Sequence, residues 1–166
     1  MSNLESRSMA RRLLEILAAI IVVLAVLMIG RLAFLSVDSH MNKPPKGSPA
    51  SGLPPCPDRP NCVSSYAEDP EHQVAALPAA GGVEKALERA AEAIAAMRGG
   101  RVTEAGNGYL HAEFTSRVFR FRDDLELLYD AEHEVFEVRS ASRVGHSDLG
   151  ANRKRVEELR RLLRSS

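Results

Sequence analysis

An uncharged apolar run near the N-terminus constrains this chain more than any other feature. It extends from Ile16 to Gly30 and reads ILAAIIVVLAVLMIG. With its mixed flanks, residues 13–35, it has about 23 residues, enough for a helix to cross roughly 30 Å of hydrocarbon. We predict a transmembrane signal anchor over residues 13–35, after a short N-terminal tail of residues 1–12. The alternatives are a cleaved signal peptide and a buried helix of a soluble domain.

The basic residues around the apolar run indicate its orientation. Arg7, Arg11 and Arg12 form a tight cluster just before the run, whereas the basic residues after it are spread more widely. The positive-inside rule therefore places the N-terminus in the cytoplasm and the rest of the chain on the other side. We predict a single-pass protein of the bacterial inner membrane that contacts lipid through residues 13–35 and has a periplasmic globular domain.

The composition changes after the apolar run. Residues 36–52 are rich in Pro, Gly, Ser and Lys, which predicts a flexible tether because such a segment buries little apolar area. Residues 53–166, about 114 residues, are enough for an independent hydrophobic core. The whole chain has 22 basic and 22 acidic residues and no Trp, so we expect no binding to nucleic acid.

Two cysteines open the globular domain. Cys56 and Cys62 are separated by five residues, two of them prolines, which favours a local disulfide in an oxidising compartment. Free thiols, a redox pair and a metal site that recruits His72 are the alternatives. A redox pair would more often have the C-x-x-C spacing, and a zinc site needs four ligands. We expect no metal and no cofactor.

The remaining pattern predicts an α+β domain. Residues 83–98 carry apolar side chains at steps of three and four, which predicts a helix that Gly99-Gly100 ends. Strand-like alternation follows, with a hairpin signal at Gly106-Asn107-Gly108, and a final helix begins near Ser147 or Asp148. We predict an antiparallel meander of four or five strands, with one helix before it and one after it. The strand-like runs are residues 101–105, 109–115, 119–122, 125–130 and 136–139.

The corner between the last strand and the last helix is the best candidate site. Arginines beside a helix N-terminus can bind an anion, because side-chain donors and the helix dipole act at the same place. The alternative is a structural network in which acidic residues pair with these arginines. The ligand-binding candidates are Arg139, Arg143, Ser147, Asn152 and Arg153, and the ion-pair candidates are Asp123, Asp124 and Asp148.

Asn152 stands out within this corner. It lies on the apolar stripe of the last helix, where a buried polar side chain costs about 1–3 kcal/mol unless it is hydrogen-bonded. We therefore expect it to have partners at the corner. The nearby sequence Gly145 to Gly150 looks like a nucleophile elbow, but its second glycine falls one position too late, and we predict no catalytic residue.

Two other polar groups have weaker functional interpretations. His111 and Glu113 share a strand face, with Glu126 and Glu137 on neighbouring strands; a solvated sheet face is the simpler interpretation, and a polar pocket or metal site the alternative. The last helix is basic. Its dipole favours cations near the C-terminus, and contact with anionic lipid headgroups is the functional alternative. These basic residues are Arg153, Lys154, Arg155, Arg160, Arg161 and Arg164.

Several of these motifs carry a family resemblance. Asp123-Asp124, the run RSASRVG from Arg139 and the run SDLGANRKR from Ser147 resemble the signature of the domain of unknown function 1499 family, found in bacteria and plastids. The segment from Cys56, C-x-x-x-P-N-C-V-S, resembles the opening motif of that family. The resemblance covers Leu53 to Leu163. It implies a shared fold and a membrane-attached or exported protein, and it brings no catalytic residues.

Two functional hypotheses follow. The first is a non-enzymatic envelope protein, an accessory or assembly factor that binds lipid or an unknown envelope protein at the membrane surface. The second is a small anionic-ligand-binding domain or cryptic enzyme that uses the corner of Arg139, Arg143 and Asn152.

Overall fold

A computed structural model describes residues 2–165 of the chain and the side chains of residues 9–165. Residues 1 and 166 lie outside the described part, and so does the side chain of Arg7, which belongs to the basic cluster before the apolar run. The chain divides into two compact units, one up to Leu35 and the other from Ser36 onward.

The first unit is helical. Helix α1, Ser2–Met41, contains the apolar run and extends a few residues into the second unit. Its segment Met9–Met41 is long and apolar enough to cross a membrane, with a mean hydropathy of 2.9 over its most apolar window. A helix of this length and composition fits a single-pass membrane anchor or a signal sequence.

The second unit is built on one antiparallel sheet, so the predicted α+β class is confirmed. The sheet has six strands in the order β1-β6-β5-β4-β3, with β2 also paired to β6. The two shortest strands were not predicted, since two or three residues are too few to show alternation. The strands are β1 Cys62–Ser64, β2 Leu77–Pro78, β3 Gly100–Gly106, β4 Tyr109–Thr115, β5 Arg122–Asp130 and β6 Val135–Ser142.

The strand predicted over residues 119–122 is wrong, because residues 116–121 form a loop between β4 and β5. The backbone of Arg120 has a φ of 58°, which a strand does not allow. Ser116 closes the loop, since its Oγ accepts a hydrogen bond from the Phe121 N–H at 2.9 Å. The alternation of Phe119 and Phe121 with arginines therefore comes from a turn. We call residues 116–121 the basic loop.

Two helices cover one face of the sheet. Helix α2, Val83–Ala96, ends two residues before the predicted Arg98, because Met97 is extended and Gly99 has a φ of 78°. A Cβ at Gly99 would lie 2.5 Å from the Thr115 carbonyl oxygen. Helix α3 is Ala151–Ser165. Together with the sheet, the two helices bury a core whose innermost side chains include Ile94, Leu110, Leu125, Leu127, Phe136, Val138, Val156 and Leu159.

Part of the opposite face is covered by the segment expected to be a flexible tether. Gly47 is buried, and its N–H donates to Glu126 Oε1 at 2.5 Å. The backbone folds back between Ser48 and Gly52, and Leu53 is buried after it. We call residues 42–52 the strap. It lies against the sheet although its composition is typical of a linker.

Candidate functional site

The sheet face opposite the helices carries charged side chains in place of an apolar surface. Alternation along β4, β5 and β6 brings them together, and neighbouring strands place His111 opposite Glu126 and Glu126 opposite Arg139. We call this set the charged face. Its members are His111, Glu113, Asp124, Glu126, Arg139 and Arg143.

The charged face is buried, so the prediction of a solvated sheet face at His111 and Glu126 is wrong. Each of these two residues exposes 1% of its surface. The strap bonds to Glu126, and Ser39, itself fully buried, accepts a hydrogen bond from Arg143 Nη1 at 3.4 Å through its carbonyl. Burial of charged groups is tolerated here because opposite charges pair with each other.

Arg143 is the centre of the largest ion-pair group. Its Nε and Nη2 donate to the two Asp124 carboxylate oxygens at 2.8 and 2.7 Å, a bidentate geometry. Nη2 also donates to Glu113 Oε1 at 2.6 Å, and Glu113 accepts a further bond from Arg122. Only 3% of the Arg143 side chain is exposed. The hydrogen bond to Asp124 raises the pKa of Arg143, so the guanidinium is a permanent cation.

Asp124 also bonds to His111. The Nε2 of His111 lies 2.8 Å from Asp124 Oδ1, and its Nδ1 lies 2.5 Å from Thr103 Oγ1. Thr103 is the extra residue at an irregularity in the pairing of β3 with β4, and such bulges redirect side chains. Burial alone would raise the pKa of Asp124, but the hydrogen bonds from Arg143 and His111 outweigh it and lower the pKa to about 2.

Glu126 is the centre of a second group on the same face. Its carboxylate accepts hydrogen bonds from Arg139 Nη1 at 3.0 Å, from the Tyr109 hydroxyl at 2.7 Å and from the Gly47 N–H. Burial, together with the bond to this carboxylate, raises the pKa of Tyr109, which keeps the phenol protonated as a donor. The group therefore joins three strands and the strap through one carboxylate.

Two other candidates, Asp123 and Asn152, lie on the helix side of the sheet. Asp123 points away from Asp124, as neighbours on a strand do, and its Oδ2 accepts from Arg155 Nη2 at 2.6 Å. Asn152 is fully buried and has partners: it accepts from Ser140 Oγ at 2.7 Å and from Arg155, and it donates to the Asn61 carbonyl at 2.9 Å. These bonds connect α3 with β6 and with the residue before β1.

The remaining corner residues, at and before the start of α3, each bond to different partners. Asp148 caps the helix from three residues before it: its Oδ2 accepts from the Asn152 N–H at 2.7 Å. Ser147 Oγ accepts from the Leu149 N–H, and Arg153 donates to the carbonyls of Gln73 and Glu71. The structure thus brings Arg139 and Arg143 together on the charged face. It places Asn152 on the helix side of the sheet, and Ser147 and Arg153 bond to other partners.

Half of the basic residues of α3 are engaged within the domain. Arg155 pairs with Asp123, Arg153 bonds to loop carbonyls, and Arg160 donates to the carbonyls of Ala75 and Ala76 at 2.7 and 2.6 Å. The exposed cations of this helix are Lys154, Arg161 and Arg164.

A basic cleft lies beside the basic loop, and the sequence pattern did not indicate it. The cleft has a volume of about 490 Å³ and is lined by Arg98, Arg117, Arg120 and Lys154 among others. Between the two loop arginines, Val118 exposes 74% and Phe119 exposes 44% of its surface. The signal was present in the sequence as two aromatics between arginines, but their alternation indicated a strand.

The two cysteines close a short loop at the start of the domain. The sulfur atoms of Cys56 and Cys62 lie 2.06 Å apart, at disulfide distance. Among the side chains of residues 9–165, no three His, Cys, Asp or Glu groups converge to hold a metal ion.

Comparison with protein families settles the relationship of this domain. The model of the family described as "Protein of unknown function (DUF1499)" matches residues 52–163. The chain belongs to the DUF1499 family. The resemblance seen in the sequence is therefore confirmed, and in this DUF1499 domain the matched residues include the whole charged face. No curated protein and no solved structure matches the chain.

The charged face of the DUF1499 domain predicts a pH dependence of stability. Asp124 has a folded pKa of about 2, below its ordinary value of about 3.9, so its contribution is complete above about pH 4 and is lost as the pH falls through 2. We expect the free energy of unfolding to fall by about 2 kcal/mol over this window because of this group. Glu113, whose pKa is also lowered by Arg143 against the effect of burial, acts in the same direction.

Urea unfolding of the full-length protein in detergent at several pH values checks this expectation. Asp124→Asn should flatten the dependence between pH 4 and pH 2, whereas Asp58→Asn, at an exposed aspartate, should leave it unchanged. An unchanged slope in Asp124→Asn would show that the carboxylate does not stabilise the fold in this way.

Proposed function

We propose that this DUF1499 protein is a single-pass membrane-anchored envelope protein, a non-enzymatic accessory factor whose periplasmic domain binds anionic lipid headgroups at the membrane surface. The observation that supports it is the basic loop, where exposed Val118 and Phe119 lie between Arg117 and Arg120. Apolar side chains flanked by cations are suited to the boundary between headgroups and acyl chains. The domain would act by holding itself, or an envelope protein partner, against the lipid surface.

The attachment of the basic loop supports a position close to the membrane. Phe121 is followed by Arg122, whose N–H donates to Ser39 Oγ at 3.3 Å. Ser39 is four residues after Leu35, the end of the predicted anchor. The base of the loop is therefore bonded to a residue that follows closely after the anchor in the chain.

The charges beside the loop suit an anionic surface. Arg98 and Lys154 line the same cleft as Arg117 and Arg120, and Glu158 is the acidic residue among its lining groups. A basic residue near an anionic membrane surface contributes about 1 kcal/mol of attraction. This cleft replaces the full length of α3 as the lipid-contacting surface that we propose, since three of the basic residues of α3 are bonded within the domain.

The alternative hypothesis of an anion site at the strand-to-helix corner has less support. Arg143 already pairs with two carboxylates, and Arg139 pairs with Glu126. Asn152 lies on the other side of the sheet, with its amide bonded to Asn61 and Ser142. An anion at this corner would have to displace existing pairs.

A tryptophan placed in the basic loop tests the lipid proposal, since the chain has no Trp of its own. We expect the fluorescence of Phe119→Trp, reconstituted in vesicles, to be quenched by brominated lipids and to shift to the blue as anionic lipid is added. Adding Arg117→Glu and Arg120→Glu should remove the dependence on anionic lipid.

Tyr66→Trp is the matched control, because Tyr66 is also an exposed aromatic residue of the domain but lies outside the cleft beside the basic loop. Its fluorescence should respond little to lipid composition. Equal quenching at both positions, or none at Phe119→Trp, would contradict the proposed membrane contact.

The periplasmic side of the proposal has a separate test. In an oxidising compartment, Cys56 and Cys62 should resist alkylation in intact cells until a reductant is added. Full labelling of both thiols without reductant would place the domain in a reducing compartment. This result would leave lipid binding by the loop open while rejecting the proposed orientation.

A further inference from the structure

The strap contacts the sheet through one backbone N–H and one lysine side chain. Its Gly47 N–H donates to Glu126, and the Lys46 ammonium lies 3.4 Å from Glu104 Oε2. A Cβ at Gly47 would lie 2.7 Å from the Gly52 carbonyl oxygen, so the bound geometry requires glycine at this position. A peptide that bound in the same way would need a lysine, a glycine after it, and the same fold-back that brings Gly52 close to that glycine.

The strap leaves polar atoms beneath it unsatisfied. Pro44 and Pro45 line a cleft of about 400 Å³ together with Asn61 and Arg139. Arg139 Nε and Asn61 Oδ1 are buried without a hydrogen-bond partner among the described residues. Buried groups without partners destabilise the state that buries them. Covering these two groups therefore weakens the binding of the strap and makes it easier to displace.

The family model matches the charged face but almost none of the strap that covers it. The match begins at residue 52, so it contains the whole charged face and both unsatisfied groups but only the last residue of the strap. The face is part of the family domain, and its cover comes from the segment that precedes the domain. We expect this arrangement if the strap occupies a site at which the family domain binds a segment of another protein chain.

We propose that the charged face is a binding groove for an extended peptide with a Pro-Lys-Gly sequence, and that the strap is its occupant in cis. Glu126 accepts a hydrogen bond from the glycine N–H, Glu104 pairs with the lysine, and the cleft next to Arg139 holds the preceding prolines. This binding site lies outside the basic cleft, and its existence does not depend on lipid binding.

Competition with the strap determines how such binding would be observed. A tethered occupant acts at an effective concentration of about millimolar. A free peptide at micromolar concentration therefore cannot displace it from the wild-type protein. Release of the strap removes this competition.

A variant that releases the strap tests the proposal in the full-length protein in a neutral detergent. Gly47→Ala introduces the clash with Gly52 and leaves the groove intact. We expect it to bind a fluorescent peptide of sequence MNKPPKGSPASGL at least about tenfold more tightly than wild type does, by anisotropy, because the tethered competitor is gone. The same peptide with alanine in place of its seventh residue, the glycine that corresponds to Gly47, should not bind.

Gly30→Ala is the matched glycine control, since a Cβ at Gly30 meets no atom within 4 Å, and it should behave as wild type. A Gly47→Ala protein that keeps the wild-type circular dichroism but binds the peptide no more tightly than wild type would overturn the proposal. Lipid-binding results with Phe119→Trp would stand in either case.

A second measurement uses the wild-type protein, in case Gly47→Ala fails to fold. Hydrogen exchange at the Gly47 amide of isotope-labelled protein is followed by NMR as unlabelled peptide is raised to millimolar concentration. Faster exchange with the glycine peptide but not with the alanine peptide supports displacement of the strap. Unchanged exchange with both peptides shows that the strap is a fixed part of the fold and rejects the groove.

Discussion

Arg143→Gln should lower the free energy of unfolding by about 3–5 kcal/mol, because it removes the cation from a buried group that contains two carboxylates. Asp124 and Glu113 both accept hydrogen bonds from this guanidinium, and the Arg143 side chain is 3% exposed. Glutamine has two N–H donors and no charge, so it can replace at most two of these bonds and none of the electrostatic attraction. The melting temperature should fall by about 10–20 °C for a domain of this size.

The three tyrosines of the chain all lie in the globular domain, so tyrosine fluorescence during urea unfolding measures this effect. Arg117→Gln, at an exposed arginine, should stay within about 0.5 kcal/mol of wild type. Adding Asp124→Asn to Arg143→Gln should recover part of the loss, since the unpaired buried charge is then removed. A loss below about 1 kcal/mol in Arg143→Gln would mean that the ion pairs behave like exposed ones.

Asn152→Leu should destabilise the domain by about 2–4 kcal/mol, although leucine suits the apolar stripe on which Asn152 lies. The substitution removes the partner of the buried Asn61 carbonyl and the acceptor of Ser140 Oγ. It also separates α3 from the end of β6, where Ser142 accepts from the same amide. Chemical denaturation of the full-length protein, followed by tyrosine fluorescence, provides the measurement.

Asn42→Leu is the matched control for this substitution, because Asn42 is exposed, and its effect should stay within about 0.5 kcal/mol. If Asn152 instead served a ligand, leucine would be neutral or stabilising in the absence of that ligand. Such a result would restore the corner as a binding site and weaken the structural interpretation of its hydrogen bonds.

Much of the domain could be predicted from periodicity alone. Alternation identified the hairpin of β3 and β4 and the pair β5 and β6, and the stripe of residues 83–98 located α2. The loop at Phe119 and Phe121 escaped this reasoning, because an alternating pattern in a short segment does not reveal the positive φ of Arg120.

The candidate site was predicted less completely. Arg139 and Arg143 were named as candidate ligand-binding residues, which stays a prediction, and Asn152 has the hydrogen-bond partners that a buried amide needs. Arg139 and Arg143 lie on one face of the sheet and Asn152 lies on the other. The closeness of these three residues in sequence did not reveal this separation. The basic cleft combines residues from the α2–β3 connection, the basic loop and α3, and no local pattern links these segments.

The apolar run, the α+β order of elements and the polar or apolar character of each strand face were determined by the sequence, since these depend on residues close together in the chain. The burial of His111 and Glu126 was decided only by the tertiary structure. The strap that covers the charged face bonds to it across 79 residues of sequence, through the N–H of Gly47. Periodicity assigns a side chain to a face, but it contains no information on which distant segment will exclude water from that face.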